Sequence, residues 1–234
     1  MAKLRLKVTK GEPIRYISHL DFAGAIERAV RRAKLPAAYS EGFNPHMKLA
    51  FASALAVGVT SEAEYLDLEL TEEADIAFLE DRLKRQLPAG IELKAAKYVA
   101  QPSKALMAVV DLATYEIFVP LMPGAIWQAV ETGIDCFNRE VEVIFIKQTP
   151  KGKREIDVKE YLAEPIHVKQ IPGKQQVTIK LAIKITPGGS VKPVKVLSVL
   201  VDSFGLPVDK DSALINRTGL FITERKVRRS PIDM

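Results

Sequence analysis

His19, Asp21 and His46 are the side chains of this sequence best suited to acid–base chemistry. His19 falls at the start of a helical pattern, where the helix dipole disfavours protonation of an imidazole. A neutral His19 suits a base or a hydrogen-bonding group, and Asp21 suits an orienting carboxylate, a nucleophile or a base. The structural alternative is that Asp21 caps the helix while His19 fills its entrance. We therefore keep His19, Asp21 and His46 as catalytic candidates without assigning a reaction.

The turn at residues 42–46, Gly-Phe-Asn-Pro-His, has the character of a binding loop. Gly42 permits a positive φ, and Pro45 fixes its own φ and biases the residue before it towards extended geometry. An exposed Phe43 would stack on a nucleobase, with His46 and Lys48 as donors beside it. The alternative is a stiff loop that places Phe43 in the core.

No metal, nucleotide or other cofactor is predicted from the motifs of the chain. A metal site from His19, His46 and an acid lacks the spacing of a ligand motif. The sequence has no phosphate-binding GxxxxGK[ST], no dinucleotide-binding GxGxxG, no HExxH and no GxSxG.

Charge is distributed unevenly along the chain. Residues 60–92 contain ten acidic and three basic residues, a net −7, so the rest of this +5 chain carries +12. The surplus cations cluster at residues 28–34, 147–154 and 225–229. Clusters of this kind suit a polyanion such as RNA, because phosphate neutralisation releases counterions. Solvated helix faces and turns are the alternative.

The basic clusters and the Gly42 turn supply the candidate nucleic-acid-binding residues: Arg28, Arg31, Arg32, Phe43, His46, Lys48, Lys151, Lys153 and Arg154. Arginines on the first helix would line a phosphate track if that helix borders the turn. The competing interpretation pairs these arginines with the carboxylates of residues 62–69.

Hydrophobic periodicity predicts the order strand, helix, strand, strand, helix, strand in the first half. Ser18 is the expected N-cap of the first helix, and Pro36 marks its end. The predicted elements are strand 3–8, the helix from the Ser18 cap, strands 47–52 and 65–70, helix 72–86 and strand 91–99. This order is the split βαβ arrangement of a ferredoxin-like domain.

The second half partly repeats this order after a linker at residues 101–108. Its predicted elements are strand 115–121, helix 124–137, strand 141–147, strand 175–185, a helix from Pro193 to Phe204 and strand 218–225. We predict an α+β protein of two ferredoxin-like halves, residues 1–100 and 109–234. The sheets should be mostly antiparallel, with helices on one face.

The single cysteine and the absence of a leader or an apolar run favour a cytoplasmic protein that does not cross a membrane. Cys136 stands between Ile134 and Phe137, and we expect it to be buried and inert.

Several stretches together resemble the radical-SAM-linked protein family, a bacterial domain family of unknown function found beside or fused to radical S-adenosylmethionine proteins. They are RYISHLD at 15–21, RAVRR at 28–32, LP at 35–36, SEGFNPH at 40–46, AL at 54–55, and the Gly58, Ser61, Glu62 and Glu64 pattern. The resemblance implies an accessory or substrate-binding role next to a radical enzyme. The chain has no three-cysteine cluster motif, so it is not that enzyme itself, and no catalytic residue is carried over from the family.

The leading hypothesis is an RNA-binding accessory protein that presents structured RNA, a tRNA or an rRNA, to a radical SAM modification partner. An RNA-modifying or RNA-cleaving enzyme using His19, Asp21 and His46 is the first alternative. The second alternative is a protein–protein interaction subunit that binds no nucleic acid.

Overall fold

A computed structural model describes residues 2–149, 152–225 and 227–234, with the backbone alone at 147–149. The chain separates into two compact units, residues 1–111 with 217–234 and residues 112–216. It is an α+β protein with a mostly antiparallel sheet. None of the helices in the described residues has the length and apolar character needed to cross a bilayer.

The described helices and strands follow one another along the chain. The strands are β1 (Ala2–Lys10), β2 (Leu49–Phe51), β3 (Val59–Leu70), β4 (Leu93–Tyr98), β5 (Leu112–Pro120), β6 (Ile144–Thr149), β7 (Gly152–Asp157), β8 (His167–Gln170), β9 (Gln176–Lys184), β10 (Leu214–Glu224) and β11 (Val227–Arg229). The α-helices are α1 (His19–Arg32), α2 (Ile76–Lys84), α3 (Leu106–Val109), α4 (Trp127–Arg139), α5 (Val158–Tyr161) and α6 (Pro193–Phe204).

The sheet of the first unit places β1 between β4 and β3, with β2 on the other side of β3. Alternation along β1 turns Leu4, Leu6 and Val8 towards one face, where they are buried in a common core with Phe22 and Ile26 of α1. Along the chain the elements of this unit follow the order β1, α1, β2, β3, α2 and β4, the alternation of strands and helices that the sequence predicted. The assignment of both halves to the ferredoxin-like class stays a prediction.

The start of α1 has the cap that its sequence predicts. The Ser18 hydroxyl accepts the Asp21 N–H at 3.1 Å and donates to the Asp21 carboxylate at 2.7 Å. The helix ends at Arg32, and Lys34 follows with a φ of 51°. The Ser18 cap therefore sets where α1 begins, and its apolar repeat sets which of its residues face the core.

The second face of this sheet is covered by the last residues of the chain. The Arg5 guanidinium binds the Asp67 carboxylate and donates to the Pro231 carbonyl at 2.8 Å, while Tyr65 and Ser230 share a hydrogen bond of 2.8 Å. We predicted residues 217–234 as part of the C-terminal domain, and the structure groups them with the first unit instead. These long-range contacts are the reason.

In the second unit β9 pairs with both β5 and β8. Helix α6 runs from Pro193 to Phe204 as predicted, and Gly205 ends it with a φ of 64°. The strand predicted at residues 141–147 is found as Ile144–Thr149, but it pairs with β7 in a separate two-stranded sheet. The second strand of this hairpin, β7, contains the basic residues Lys153 and Arg154.

Cys136 is exposed, which corrects the expectation that it is buried. The buried face of α4 is formed by Val130, Ile134 and Phe137. Because a residue advances by about 100° around an α-helix, Cys136 lies about 200° from Ile134 and faces away from the core.

Candidate functional site

His19 lies at the first turn of α1 and packs against β2. Its ring meets the Phe51 ring edge-on, with centroids 4.9 Å apart and an interplanar angle of 76°. The Nδ1 atom of His19 is buried and has no hydrogen-bond partner among the described residues. A buried imidazole nitrogen that stays unsatisfied costs on the order of 1–3 kcal/mol.

Buried charges lie close to His19 in the same unit. Arg217 donates to both carboxylate oxygens of Glu64, at 2.9 and 3.2 Å, and the two side chains are 4% and 1% exposed. The ammonium of Lys10 donates to the carbonyls of Arg15 and Ile17 at 2.9 and 3.0 Å. The Lys10 contacts tie the residues before α1 to β1, and the Arg217–Glu64 pair joins β10 to β3.

Arg15 completes this buried group by joining two loops. Its guanidinium binds the carboxylate of Glu12 and donates to the Gly58 carbonyl at 2.7 Å, while the Gly58 N–H donates to the Arg15 carbonyl at 3.1 Å. The loop before β3 is therefore held against the residues that precede α1.

Burial lowers the pKa of His19, and the charges of Arg217 and Lys10 lower it further against the opposing effect of Glu64. Burial therefore favours the neutral imidazole. A neutral, partly buried histidine suits hydrogen bonding or proton acceptance.

The lowered pKa of His19 predicts a pH-dependent stability that His19→Phe removes. Below a pH of about 6.5, His19 is protonated more readily in the unfolded chain than in the folded chain. The wild-type free energy of unfolding should therefore decrease as pH falls from about 6.5 towards the folded-state pKa. Phenylalanine keeps a ring against Phe51 but does not titrate. Urea denaturation at several pH values measures the free energy of unfolding of both proteins. As pH falls through this window, the wild-type value should decrease relative to that of His19→Phe. Parallel profiles would refute the prediction.

Asp21 and His46 have partners of their own rather than His19. The Asp21 carboxylate is occupied by the Ser18 hydroxyl, and the exposed His46 donates its backbone N–H to Ser40 Oγ at 2.9 Å. Within the described ranges no hydrogen bond, ion pair or ring contact joins the three candidates. Their roles as a catalytic set stay a prediction.

Within the described residues, the arginines of α1 form no ion pair with the carboxylates of residues 62–69. Arg32 donates to the backbone carbonyl of Gln86 at 2.6 Å, whereas Arg28 and Arg31 are exposed and have no ion-pair partner among the described residues. The predicted alternative, pairing with residues 62–69, is not formed.

The carboxylates of that segment contact other cations instead. Glu64 binds Arg217, Asp67 binds Arg5 at 2.7 Å, and Glu69 lies 3.5 Å from Lys48. Lys48, a candidate phosphate contact, is therefore partly occupied by this half-exposed pair.

Phe43 is fully exposed, at 103%, which excludes its alternative role in the core. Gly42 before it has a φ of 119°, a conformation that favours glycine. The turn presents the ring to solvent next to the exposed His46.

The remaining basic candidates belong to the second unit. Lys153 and Arg154 are exposed on β7, opposite Gln148 and Lys147. Lys151 lies outside the described residues.

The buried ionic group around Lys10, Glu64 and Arg217 was missed in the sequence. A signal was present, because Glu64 lies in register with the apolar Leu66, Leu68 and Leu70 of β3. A charged residue on the apolar face of a strand predicts a buried ion pair. No cluster of three or more His, Cys, Asp or Glu able to hold a metal occurs in the described part of the chain.

Residues 3–193 match the model of a protein family described as "Uncharacterized protein conserved in bacteria (DUF2344)". The chain belongs to this family. The match covers the start of α1 and the Gly42 turn, and the family description states no activity or partner. None of the curated proteins compared with the chain matches it significantly.

Solved structures resemble the fold of this chain more distantly. A chain in the crystal structure of a Cbf5-Nop10-Gar1 complex matches with a TM-score of 0.50 and 12% identity, over 94% of this chain. The present chain spans 48% of the length of that one. At this identity the similarity concerns the fold alone.

Proposed function

We propose that this chain is an RNA-binding accessory protein that presents structured RNA, a tRNA or an rRNA, to a radical SAM modification partner. The RNA-binding part of this proposal rests on one observation. The exposed Arg28 and Arg31 lack carboxylate partners in the described residues, while the nearby acidic segment is engaged by other cations. Cations that are free of local partners bind phosphates without first breaking an ion pair.

The exposed Phe43 supplies a second kind of contact. Every nucleobase has a face that stacks on an aromatic ring, so such a contact tolerates many sequences. Phosphate contacts from an arginine-bearing helix and stacking from a separate loop favour RNA with unpaired bases, such as the loops of a tRNA.

Substitution of Phe43 by alanine should weaken RNA binding by about 1–3 kcal/mol and leave stability unchanged, because the ring buries nothing in the free protein. Phe78→Ala is the matched control, since Phe78 is 53% exposed on α2 beside Arg82. Dissociation constants for a tRNA transcript, measured by filter binding, give the comparison. Equal affinities of wild type and Phe43→Ala would remove Phe43 from the interface.

The test of RNA binding itself is filter binding of a tRNA transcript from low to moderate salt. We expect binding at low salt that weakens steadily as salt rises, because phosphate contacts release counterions. No binding at low salt, or binding that is independent of salt, would refute the proposal.

The radical SAM partner is proposed from the resemblance at residues 15–64, and the family description does not name such a partner. Affinity purification of the tagged chain from a bacterium that encodes it should recover a radical SAM protein. Recovery that survives nuclease treatment would indicate direct protein contact, and no recovery would limit the proposal to RNA binding.

An RNA-modifying or RNA-cleaving enzyme is the second candidate function. It is favoured by the Nδ1 of His19, which has no hydrogen-bond partner in the part of the chain that the structure describes, and by the lowered pKa of the ring. Mass spectrometry of a tRNA pool incubated with the protein distinguishes the two. An RNA change that disappears in His19→Phe while RNA binding persists would make the chain an enzyme.

A further inference from the structure

The first unit contains a cavity that the proposed RNA contacts do not use. Its volume is about 330 Å³, and it lies between residues 99–109, which follow β4, and the end of β10. Val99, Val109 and Ile222 contribute apolar walls. A volume near the lower limit of about 300 Å³ for small-molecule sites fits a compact ligand.

Arg5 gives this cavity a fixed polar group. Its Nε and Nη2 atoms donate to the Asp67 carboxylate at 2.7 and 3.0 Å, and Nη1 donates to the Pro231 carbonyl at 2.8 Å. The side chain is therefore held in place by contacts on both sides. A guanidinium has five N–H groups, of which these contacts use three, and Arg5 lines the cavity.

Two lysines near the cavity have no carboxylate partner among the described residues. Lys3 donates to the hydroxyl of Ser103, which lines the cavity, at 3.0 Å, and the lining Lys104 is exposed.

Three nearby acids are engaged by other groups. Asp67 holds Arg5, the lining Glu224 lies 3.8 Å from Arg229, and Asp111 accepts the Thr223 N–H at 2.9 Å. Lys3 and Lys104 supply positive charge beside the cavity, which favours an anion.

We propose that this cavity binds a small organic anion, with a carboxylate on a compact apolar body. The body packs against Val99, Val109 and Ile222, and the carboxylate faces Lys104 and the remaining N–H groups of Arg5. This site is independent of the RNA-binding proposal, because it uses none of the residues assigned to RNA.

Nuclear magnetic resonance titration of the ¹⁵N-labelled full chain with hexanoate tests the proposal, with hexanol as the uncharged probe. Hexanoate should shift the amides of residues 99–109 and 222–224, with an affinity at least several-fold higher than that of hexanol. Lys104→Gln should weaken hexanoate binding several-fold without changing hexanol binding. Lys94→Gln, an exposed lysine paired with Glu92, is the control and should have no effect.

Val109→Trp should fill the cavity and abolish the shifts from both probes. Lys104 is exposed, so its variant stays interpretable even if the tryptophan disturbs folding. Absence of shifts in these segments would overturn the proposal. Equal binding of hexanoate and hexanol, or hexanoate binding that Lys104→Gln leaves unchanged, would overturn the assignment to an anion.

Discussion

Replacement of Arg217 by methionine is expected to lower the free energy of unfolding by about 3–5 kcal/mol. The substitution strands the Glu64 carboxylate, which is 1% exposed and accepts two hydrogen bonds from Arg217. A buried carboxylate without its partner must be desolvated unpaired or take up a proton. Urea denaturation at pH 7, followed by circular dichroism, measures the loss.

The double variant Arg217→Met with Glu64→Leu should recover most of this stability, because it removes both charges and keeps apolar volume. Lys84→Met is the control for an exposed pair. Lys84 and Glu80 are 50% and 23% exposed, and breaking their contact should change stability by less than about 1 kcal/mol. Equal losses in the single and double variants would show that the unpaired carboxylate is not the cause.

Removal of two charges from α1, by Arg28→Gln with Arg31→Gln, should reduce affinity for a tRNA transcript on the order of tenfold at low salt. Both side chains are exposed, so the folded structure should not change. The reason is the loss of two phosphate contacts, since Arg32, the remaining arginine of α1, is bound to the Gln86 carbonyl. Filter binding provides the dissociation constants, and thermal denaturation confirms that the variant is folded.

Lys84→Gln with Arg85→Gln is the matched control, because it removes the same formal charge from α2. These two cations are paired with Glu80 and Asp81 on their own helix. We expect little effect on RNA binding. Equal losses in the two double variants would mean that net charge, rather than the surface of α1, determines affinity.

Elements whose boundaries are set by local chemistry could be predicted from the sequence. Ser18 caps α1, and Pro193 and Gly205 delimit α6, because capping and φ preferences act between near neighbours. The exposure of Phe43 was one of two predicted options, since a turn sequence fixes backbone geometry but not the surroundings of its side chain.

The buried ion pairs could not be assigned partners from the sequence. Glu64 and Arg217 are 153 residues apart, and Arg5 contacts a carbonyl 226 residues away. Local periodicity has no information about which distant strand supplies the counter-charge. The same limit explains why the contacts of residues 217–234 with the first unit were not predicted. It also explains why β6 was not recognised as part of a separate hairpin.

The salt dependence of tRNA binding by the Arg28→Gln, Arg31→Gln variant tests the central proposal most directly. The logarithm of the association constant should fall linearly with the logarithm of salt concentration for both proteins. For the variant the slope should be smaller in magnitude by roughly 1.4–1.8, the value for two lost phosphate contacts. Two parallel lines would show that neither arginine contacts phosphate and would contradict the account.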